Sequence, residues 1–431
     1  MPNRITILAA LAVAPLLAAV PVAAQAPSAL DAAIERHTPQ ITELRHRIHQ
    51  NPELGNRETE TAALVAEHLR ALGLEVRTGI AHTGVVGVLR GGRPGPVVMV
   101  RADMDALPVT EETGLPFASV KRAVYNGQEV GVMHACGHDI HTAVGLGTAS
   151  VLADMKADLA GTVLFIFQPA EEGVPPGEEG GAKLMLEQGV FDDPAPVVAF
   201  ALHSQPALHV GQLGITSGPA MAASDRWNAR IIGRQAHGAQ PQQSIDPVVM
   251  AAQAVLALQT IRSRNMAALD DGLLTVGIIR GGERNNIIPG EVYLEGTVRT
   301  FDPEIQSMIE RRMREILDGI TKAGGGSFDF SYRRGYPVTV NDPALTARMS
   351  PTLARVVGPS SLQVLPPTTG AEDFSFFAQR VPGMYFSLGT TKPGTVSGGL
   401  HTPTMTADDS AIPVGIRAMT SLVLDYMSGA R

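Results

Sequence analysis

Three apolar runs, each leading into side chains of metal-binding type, constrain this chain more than any other feature. Residues 97–101 run into Asp103 and Asp105, residues 162–168 into Glu171 and Glu172, and residues 197–202 into His203. Helical patterns lie between the later runs, over 141–155 and 181–188, and a further strand-like run covers 85–89. Near-continuous hydrophobic strands alternating with helices imply an α/β layer with a largely parallel sheet. Open sheets of this kind bind ligands at the carboxyl ends of their strands, so the acidic and imidazole side chains stand where chemistry is expected.

The densest cluster is Met133-His-Ala-Cys-Gly-His-Asp-Ile-His-Thr142, which holds the only cysteine of the chain. Thiolate, imidazole and carboxylate together are the ingredients of a transition-metal site. Cys136 alone would read as a small buried hydrophobe. Four potential ligands within six residues (Cys136, His138, Asp139, His141) favour a metal. Cys136 and His138 are the expected ligands, while His134, His141 and Asp139 are expected in structural or supporting roles.

The remaining candidates are distant in sequence. Asp105 is expected to orient a ligating histidine by hydrogen bonding, whereas Asp103 reads equally well as a turn or cap residue. Glu171 and Glu172 repel one another unless cations or protons compensate. One division of labour makes one of the two a metal ligand and the other a general base that takes a proton from a water activated by the metal. Glu178-Glu179 is a similar pair, but it lies in a loop. His203 and His401, the latter after the glycine-rich 394–399, complete a set of five ligands read at strand ends, enough for two metals about 3.5–4 Å apart.

At 431 residues the chain is long enough for two domains. A formal net charge of −8 argues against nucleic acid, which calls for a basic surplus. Residues 1–26 read as a secretory signal peptide: Arg4 precedes an apolar run of about 15 residues, short for a bilayer span, and Ala24-Gln25-Ala26 offers cleavage after Ala24 or Ala26. The expectation is an exported, periplasmic or secreted protein with no membrane association after cleavage. One cysteine cannot form an intrachain disulfide, and a metal would account for an unpaired exported thiol.

The N-terminal segment reads as two helices, 41–49 and 58–72. Beyond residue 222 the rhythm changes: strand 226–233, helix 246–264, strands 273–279 and 291–300, helix 303–323 and strand 327–340. The order β-α-β-β-α-β is the split ferredoxin-like unit. The expected division is therefore 1–26 signal peptide, 27–221 catalytic domain, 222–338 inserted lid and 339–431 return to the catalytic domain. The return carries a helix over 343–357, a strand over 384–388 and a closing helix over 410–427.

The motifs resemble a family of metal-dependent amidohydrolases that includes hippurate hydrolase, bacterial N-acyl-amino-acid amidohydrolases, thermophilic carboxypeptidases and plant auxin-conjugate hydrolases. The resemblance spans Arg45-His-Arg-Ile-His-Gln-Asn-Pro-Glu-Leu54 to Leu400-His-Thr-Pro403. In between come Arg101-Ala-Asp-Met-Asp-Ala-Leu-Pro108, His134-Ala-Cys-Gly-His-Asp139, Gln168-Pro-Ala-Glu-Glu-Gly173 and Gly370-Ala-Glu-Asp-Phe374, in the family's order. It implies metal ligands Cys136, His138, Glu172, His203 and His401, Glu171 as general base, and two divalent metals per subunit, with zinc, manganese, cobalt and nickel as candidates. It also implies a lid that mediates homodimerisation. In Gly233-Arg-Gln-Ala-His-Gly-Ala-Gln-Pro241, His237 resembles the family histidine that stabilises the oxyanion, in dimeric members from the partner subunit. Asn286-Ile-Ile-Pro289 resembles a substrate-contacting stretch.

Three departures concern the pocket wall rather than the ligands: Gln242 where the family often has His, Ser204-Gln205-Pro206 after His203, and a longer loop Val174-Pro-Pro-Gly-Glu-Glu179. The expected activity is hydrolysis of the amide of N-acyl or N-aroyl amino acids or small peptides. A carboxypeptidase or dipeptidase is the rival within enzymes, and a silent periplasmic metal or ligand binder the rival outside them.

Overall fold

A computed structural model describes residues 28–429; the expected signal peptide lies outside the described residues. The central sheet has eight strands. In spatial order they are Glu75–Ile80, Gly84–Arg90, Ala160–Gln168, Arg93–Asp103, Val198–His209, Gly383–Thr391, Leu213–Ile215 and Leu362–Val364. The four middle strands, from Ala160–Gln168 to Gly383–Thr391, are mutually parallel, and antiparallel pairings bring in strands on either side. This is the α/β class with a largely parallel sheet.

Helices cover both faces. Ala29–Gln50, Thr59–Ala71, His138–Asp154, Pro343–Val357 and Ala411–Ser428 pack with one face in a core that includes Ile41, Leu69, Val144, Phe165 and Ile416. The shorter Gly181–Glu187 and Phe374–Ala378 close the other face around Met99, Leu164 and Phe377. Every residue from His138 to Leu152 is buried, as expected of a helix that is apolar around its whole circumference. Its residues are small enough for neighbours to approach on all sides.

A second, four-stranded antiparallel sheet is formed by Gly272–Arg280, Glu291–Thr300, Ala223–Ile232 and Ser327–Tyr336, in that spatial order. With the helices Pro247–Leu258 and Pro303–Ala323 it makes the split βαββαβ arrangement, which has its own core around Trp227, Met250, Leu294, Met313 and Leu317. The longer helix starts where Asp302 accepts from the Glu304 and Ile305 amides, and it buries Ile309, Met313 and Leu317 at intervals of four. Each such burial contributes about 1.5–3 kcal/mol.

Several boundaries differ from the sequence reading. The first helix begins at Ala29 and carries Pro39 internally. The helix expected to reach 264 ends at Leu258 and passes into the wider turn Ile261–Asn265. The strand expected to run to 340 stops at Tyr336, and Thr339–Asn341 pairs separately with Gly218–Met221. His203 does not end its strand. Val198–His209 continues because it keeps pairing with Gly383–Thr391 as far as His209 opposite Thr391, so this candidate ligand stands mid-strand, opposite Ser387.

Candidate metal centre

The Cys136 loop is shaped by backbone chemistry. Gly137 adopts φ 82, a conformation that favours glycine, and a Cβ there would collide with the Ser204 side chain. The helix that follows starts at His138, so Cys136 and His138 leave the turn on either side of Gly137. His401 has φ 64, and its amide donates to the Ala135 carbonyl at 2.8 Å. Ala170, immediately before the two glutamates, has φ 54. Left-handed conformations at non-glycine residues cost roughly 1–3 kcal/mol and cluster at functional sites.

These constraints bring all five expected ligands together. Cys136 Sγ lies 3.3 Å from His203 Nε2 and 3.3 Å from His401 Nε2. Glu172 Oε1 is 3.1 Å from His401 Nε2 and 3.9 Å from His138 Nε2. The ligand atoms form overlapping groups that could hold an ion: Cys136, His138 and His203; Cys136, Glu172 and His401; His138, Glu171 and Glu172. His138 Nε2 is buried without a hydrogen-bond partner among the described residues, and the buried Glu172 Oε1 has the His401 ring nitrogen at ion-pair distance. Buried polar atoms left unpaired cost free energy, and a cation held by these residues would offset that cost.

The electrostatics agree. Burial alone would lower His138, but Asp103, Asp105 and Glu172 around it push it up to about 10. Burial, reinforced by His141, holds His203 down to about 3. Burial and the Glu172 and Glu171 carboxylates push the Cys136 thiol well above its ordinary range. The potential that favours a proton on His138 and disfavours a thiolate is one that attracts cations, and a cation would reverse the balance at the thiol.

Supporting residues fill the surroundings. Asp105 accepts from His138 Nδ1 through its backbone oxygen at 2.8 Å, and its Oδ1 lies 3.2 Å from the same nitrogen. Its other oxygen accepts from the Glu172 amide at 2.9 Å, so one side chain sets two candidate ligands. Asp103 is buried, and its side chain binds His141 at 2.5 Å and Arg101 at 2.6 Å rather than capping a turn. His141 Nε2 in turn accepts from the Ser204 amide. Asp139 is held by Arg45 and His49 at 2.7 and 2.8 Å, and His134 is buried behind the loop. Neither ring nitrogen of His134 has a hydrogen-bond partner among the described residues, and His141 shares with Asp103 and His138 a further group that could hold an ion.

Behind Glu171 lies a network that the sequence reading gave no role. Arg101 is fully buried and pairs with Asp103, Glu372 and Asp373 at 2.6, 2.8 and 3.1 Å. Tyr385 donates to Glu372 at 2.8 Å, and Glu372 comes within reach of Glu171 and Asp103. Tyr336, from the lid sheet, donates to the Glu171 carbonyl at 2.7 Å. An arginine inside an apolar strand and the adjacent acids Glu372-Asp373 were the available signals.

The centre opens into a cleft of about 1470 Å³ that is lined by Cys136, Glu171, Glu172, His203 and His401 and by residues of the lid sheet. His237 and Asn286 are brought to each other but are not among its lining residues. The short strands Ala236–His237 and Ile287–Ile288 pair, Gly238 N donates to Asn286 O at 2.8 Å, and His237 is exposed.

The profile described as Peptidase family M20/M25/M40 matches residues 99–425. This chain belongs to that family. An N-acetyl-L-cysteine deacetylase of Bacillus subtilis is 38% identical over 86% of this chain and 85% of its own length. A thermostable carboxypeptidase of Saccharolobus solfataricus is 37% identical over 90% of this chain and 95% of its own. A crystal structure of a dinuclear metal binding M20 peptidase of Bacillus subtilis superposes with a TM-score of 0.76 at 32% identity, covering 91% of this chain and 99% of that one. The M20 chain is accordingly a hydrolase acting on amide bonds, with clusters of side chains suited to divalent metals.

For this M20 centre, Cys136→Ser is expected to weaken metal binding by at least the 10–100-fold that loss of an outer partner costs elsewhere. Metal analysis after dialysis measures it, and unchanged stoichiometry and affinity would remove Cys136 from the ligands. Metal addition should also release protons, since the buried thiol is held protonated. Titration calorimetry in buffers of different ionisation enthalpy should show less release in the variant.

Proposed function

We propose that this chain is an exported amidohydrolase that cleaves the amide bond of N-acyl or N-aroyl amino acids, or of small peptides, and releases the free amino acid. The observation that carries the reading is the unequal environment of two adjacent glutamates. Glu172 is drawn into the ligand cluster. Glu171 is buried beside it, and burial with the Glu372, Glu172 and Asp373 carboxylates pushes it well above the ordinary carboxylate range. That is the direction a general base working near neutral pH needs.

Two divalent cations held by Cys136, His138, Glu172, His203 and His401, drawn from zinc, manganese, cobalt or nickel, would polarise the amide carbonyl and acidify water. Glu171 takes the proton of the attacking water and returns it to the leaving amine. Asp105 holds His138 and Glu172 in place, and Tyr336 fixes the Glu171 backbone. Turnover of hippurate-type, long-chain acyl and dipeptide substrates by metal-loaded protein tests the reading. Acyl-amino-acid turnover above dipeptide turnover supports it, and the reverse makes the chain a carboxypeptidase or dipeptidase. No turnover of any of them leaves a binder.

The lid suits a homodimer. Gly272–Arg280 is an edge strand of its sheet, with Ile279 58% exposed. The neighbouring helix exposes Val248, Val249 and Leu256. Pairing of such an edge with a second copy would cover apolar surface and offer His237 and Asn286 to the partner's cleft. His237→Ala is then expected to lower kcat by about 10²–10³-fold, as loss of an oxyanion donor does. Mixing it with Glu171→Gln protein should restore part of the activity, because hybrid dimers contain one intact site. Absence of recovery under conditions where subunits exchange would place His237 outside the reaction. Export is tested by fusing residues 1–26 to a periplasmic reporter.

A further inference from the structure

The lid sheet buries one face under its two helices, and one end of its other face lines the cleft. On that open face, Arg226, Arg299 and Arg333 stand on three neighbouring strands and line the cleft. Arg226 is directly opposite Arg333 in register, and Arg299 is opposite Ser224, the next outward position along the Arg226 strand. Like charges directly opposite on paired strands are destabilising.

Among the described residues, none neutralises them by contact. The flanking Arg230 and Arg334 pair with Glu291 and Glu310. No ion pair or side-chain hydrogen bond forms at Arg226, Arg299 or Arg333 among the described residues. Asp225 turns into the lid core, where Gln306 and Tyr332 donate to it at 2.8 and 2.6 Å. Glu295, the carboxylate further along the open face, accepts from Tyr293. Burial pulls Arg299 below the usual arginine range; Asp225 opposes this and Arg226 adds to it. A cation cluster of this kind, in a chain of formal net charge −8, lacks an anion.

The cluster is also close to the chemistry. Tyr336, which donates to the Glu171 carbonyl, is opposite Ser224, and the Arg226–Arg333 pair is the next outward pair. Two residues along a strand span about 7 Å, a distance that arginine side chains bridge readily. One carboxylate is satisfied by one guanidinium in a two-bonded pair, so three guanidinia exceed what a single carboxylate needs.

We infer that Arg226, Arg299 and Arg333 form an anion site for a released amino acid that carries a second carboxylate beside its α-carboxylate, which makes N-acyl aspartate- and glutamate-type compounds the preferred substrates. The inference rests on the amidohydrolase reading above and adds its substrate class.

The test compares metal-loaded wild-type protein with the Arg226→Gln/Arg333→Gln double variant on N-acetylglutamate and on N-acetylglutamine, an isostere that keeps the α-carboxylate but has an uncharged side chain. Wild-type kcat/KM should favour the glutamate compound by at least about tenfold, and the double variant should lose that preference, mainly through KM. Equal rates on the two compounds in the wild type, or a ratio unchanged by the double substitution, would overturn the site. Calorimetric binding of glutarate against butyrate provides a readout independent of turnover. Tighter glutarate binding that the double variant abolishes supports the anion site even if no amide is hydrolysed, in which case the amidohydrolase reading fails alone. Equal binding of the two acids overturns the site whatever the turnover.

Discussion

Glu171→Gln should lower kcat/KM by between about 10²- and 10⁴-fold while leaving metal content at the wild-type level. The two halves of that expectation come from different parts of the geometry. Glutamine keeps the shape and volume of the side chain but cannot take a proton from water. The group of Cys136 and His401 contains Glu172 and not Glu171, which joins His138 and Glu172 in one group and Asp103 and Glu372 in another, so the five proposed ligands survive the substitution. Glu171 also sits among the buried acids Glu372 and Asp373, and an uncharged amide relieves repulsion there instead of adding it. The variant should therefore be at least as stable as the wild type to urea. A Glu171→Gln protein that binds metal normally and hydrolyses every substrate at the wild-type rate would remove the proposed base. One that loses its metal would show instead that Glu171 is a ligand, a role its 3.9 Å approach to His138 Nε2 allows.

Legibility in the sequence followed burial and range. Strands covered on both faces leave uninterrupted apolar runs, so Ala160–Gln168 and Arg93–Asp103 stood out, whereas the edge strand Glu75–Ile80, mostly solvent-facing, and the polar hairpin Arg122–Tyr125 with Gln128–Gly131 left no such trace. The ligand set was readable because soft and hard donors fall in short motifs; that they converge was not, since His401 reaches Cys136 from 265 positions away. His203 looked like a strand end because its apolar run stops there. Strand length is set by pairing with Gly383–Thr391, which the run does not encode. His237 had a motif, yet no local signal tells on which side of the lid its ribbon emerges. The role of Arg101 was hidden for the same reason: its partners Glu372 and Asp373 lie 271 and 272 residues further on.

Arg101 carries the largest expected effect on stability. Its guanidinium has no exposure and faces three carboxylates, with Gln168 accepting from Nε at 2.9 Å. One positive charge cannot balance all of them. Despite burial, Arg101 and the two histidines His138 and His141 hold Asp103 well below the ordinary carboxylate range. Burial, with Glu372 and against Arg101, pushes Asp373 up to about 8. Arg101→Met fills similar space but leaves Asp103 and Glu372 without their shared cation inside the protein. Breaking a buried ion pair from one side costs about 3–5 kcal/mol. The loss should be confined to the central sheet, and the chain offers a way to see this. Its single tryptophan, Trp227, is buried in the lid core, so fluorescence follows the lid while far-ultraviolet circular dichroism follows the whole fold. Urea unfolding of Arg101→Met should show the dichroism midpoint moving to lower urea ahead of the Trp227 transition. Coincident, unshifted midpoints would mean that the three acids find protons or water as readily as they find Arg101, and the network would then have no structural claim on the position of Glu171. A shifted midpoint with wild-type kcat at low temperature would separate the two roles and leave Arg101 as a stabilising residue alone.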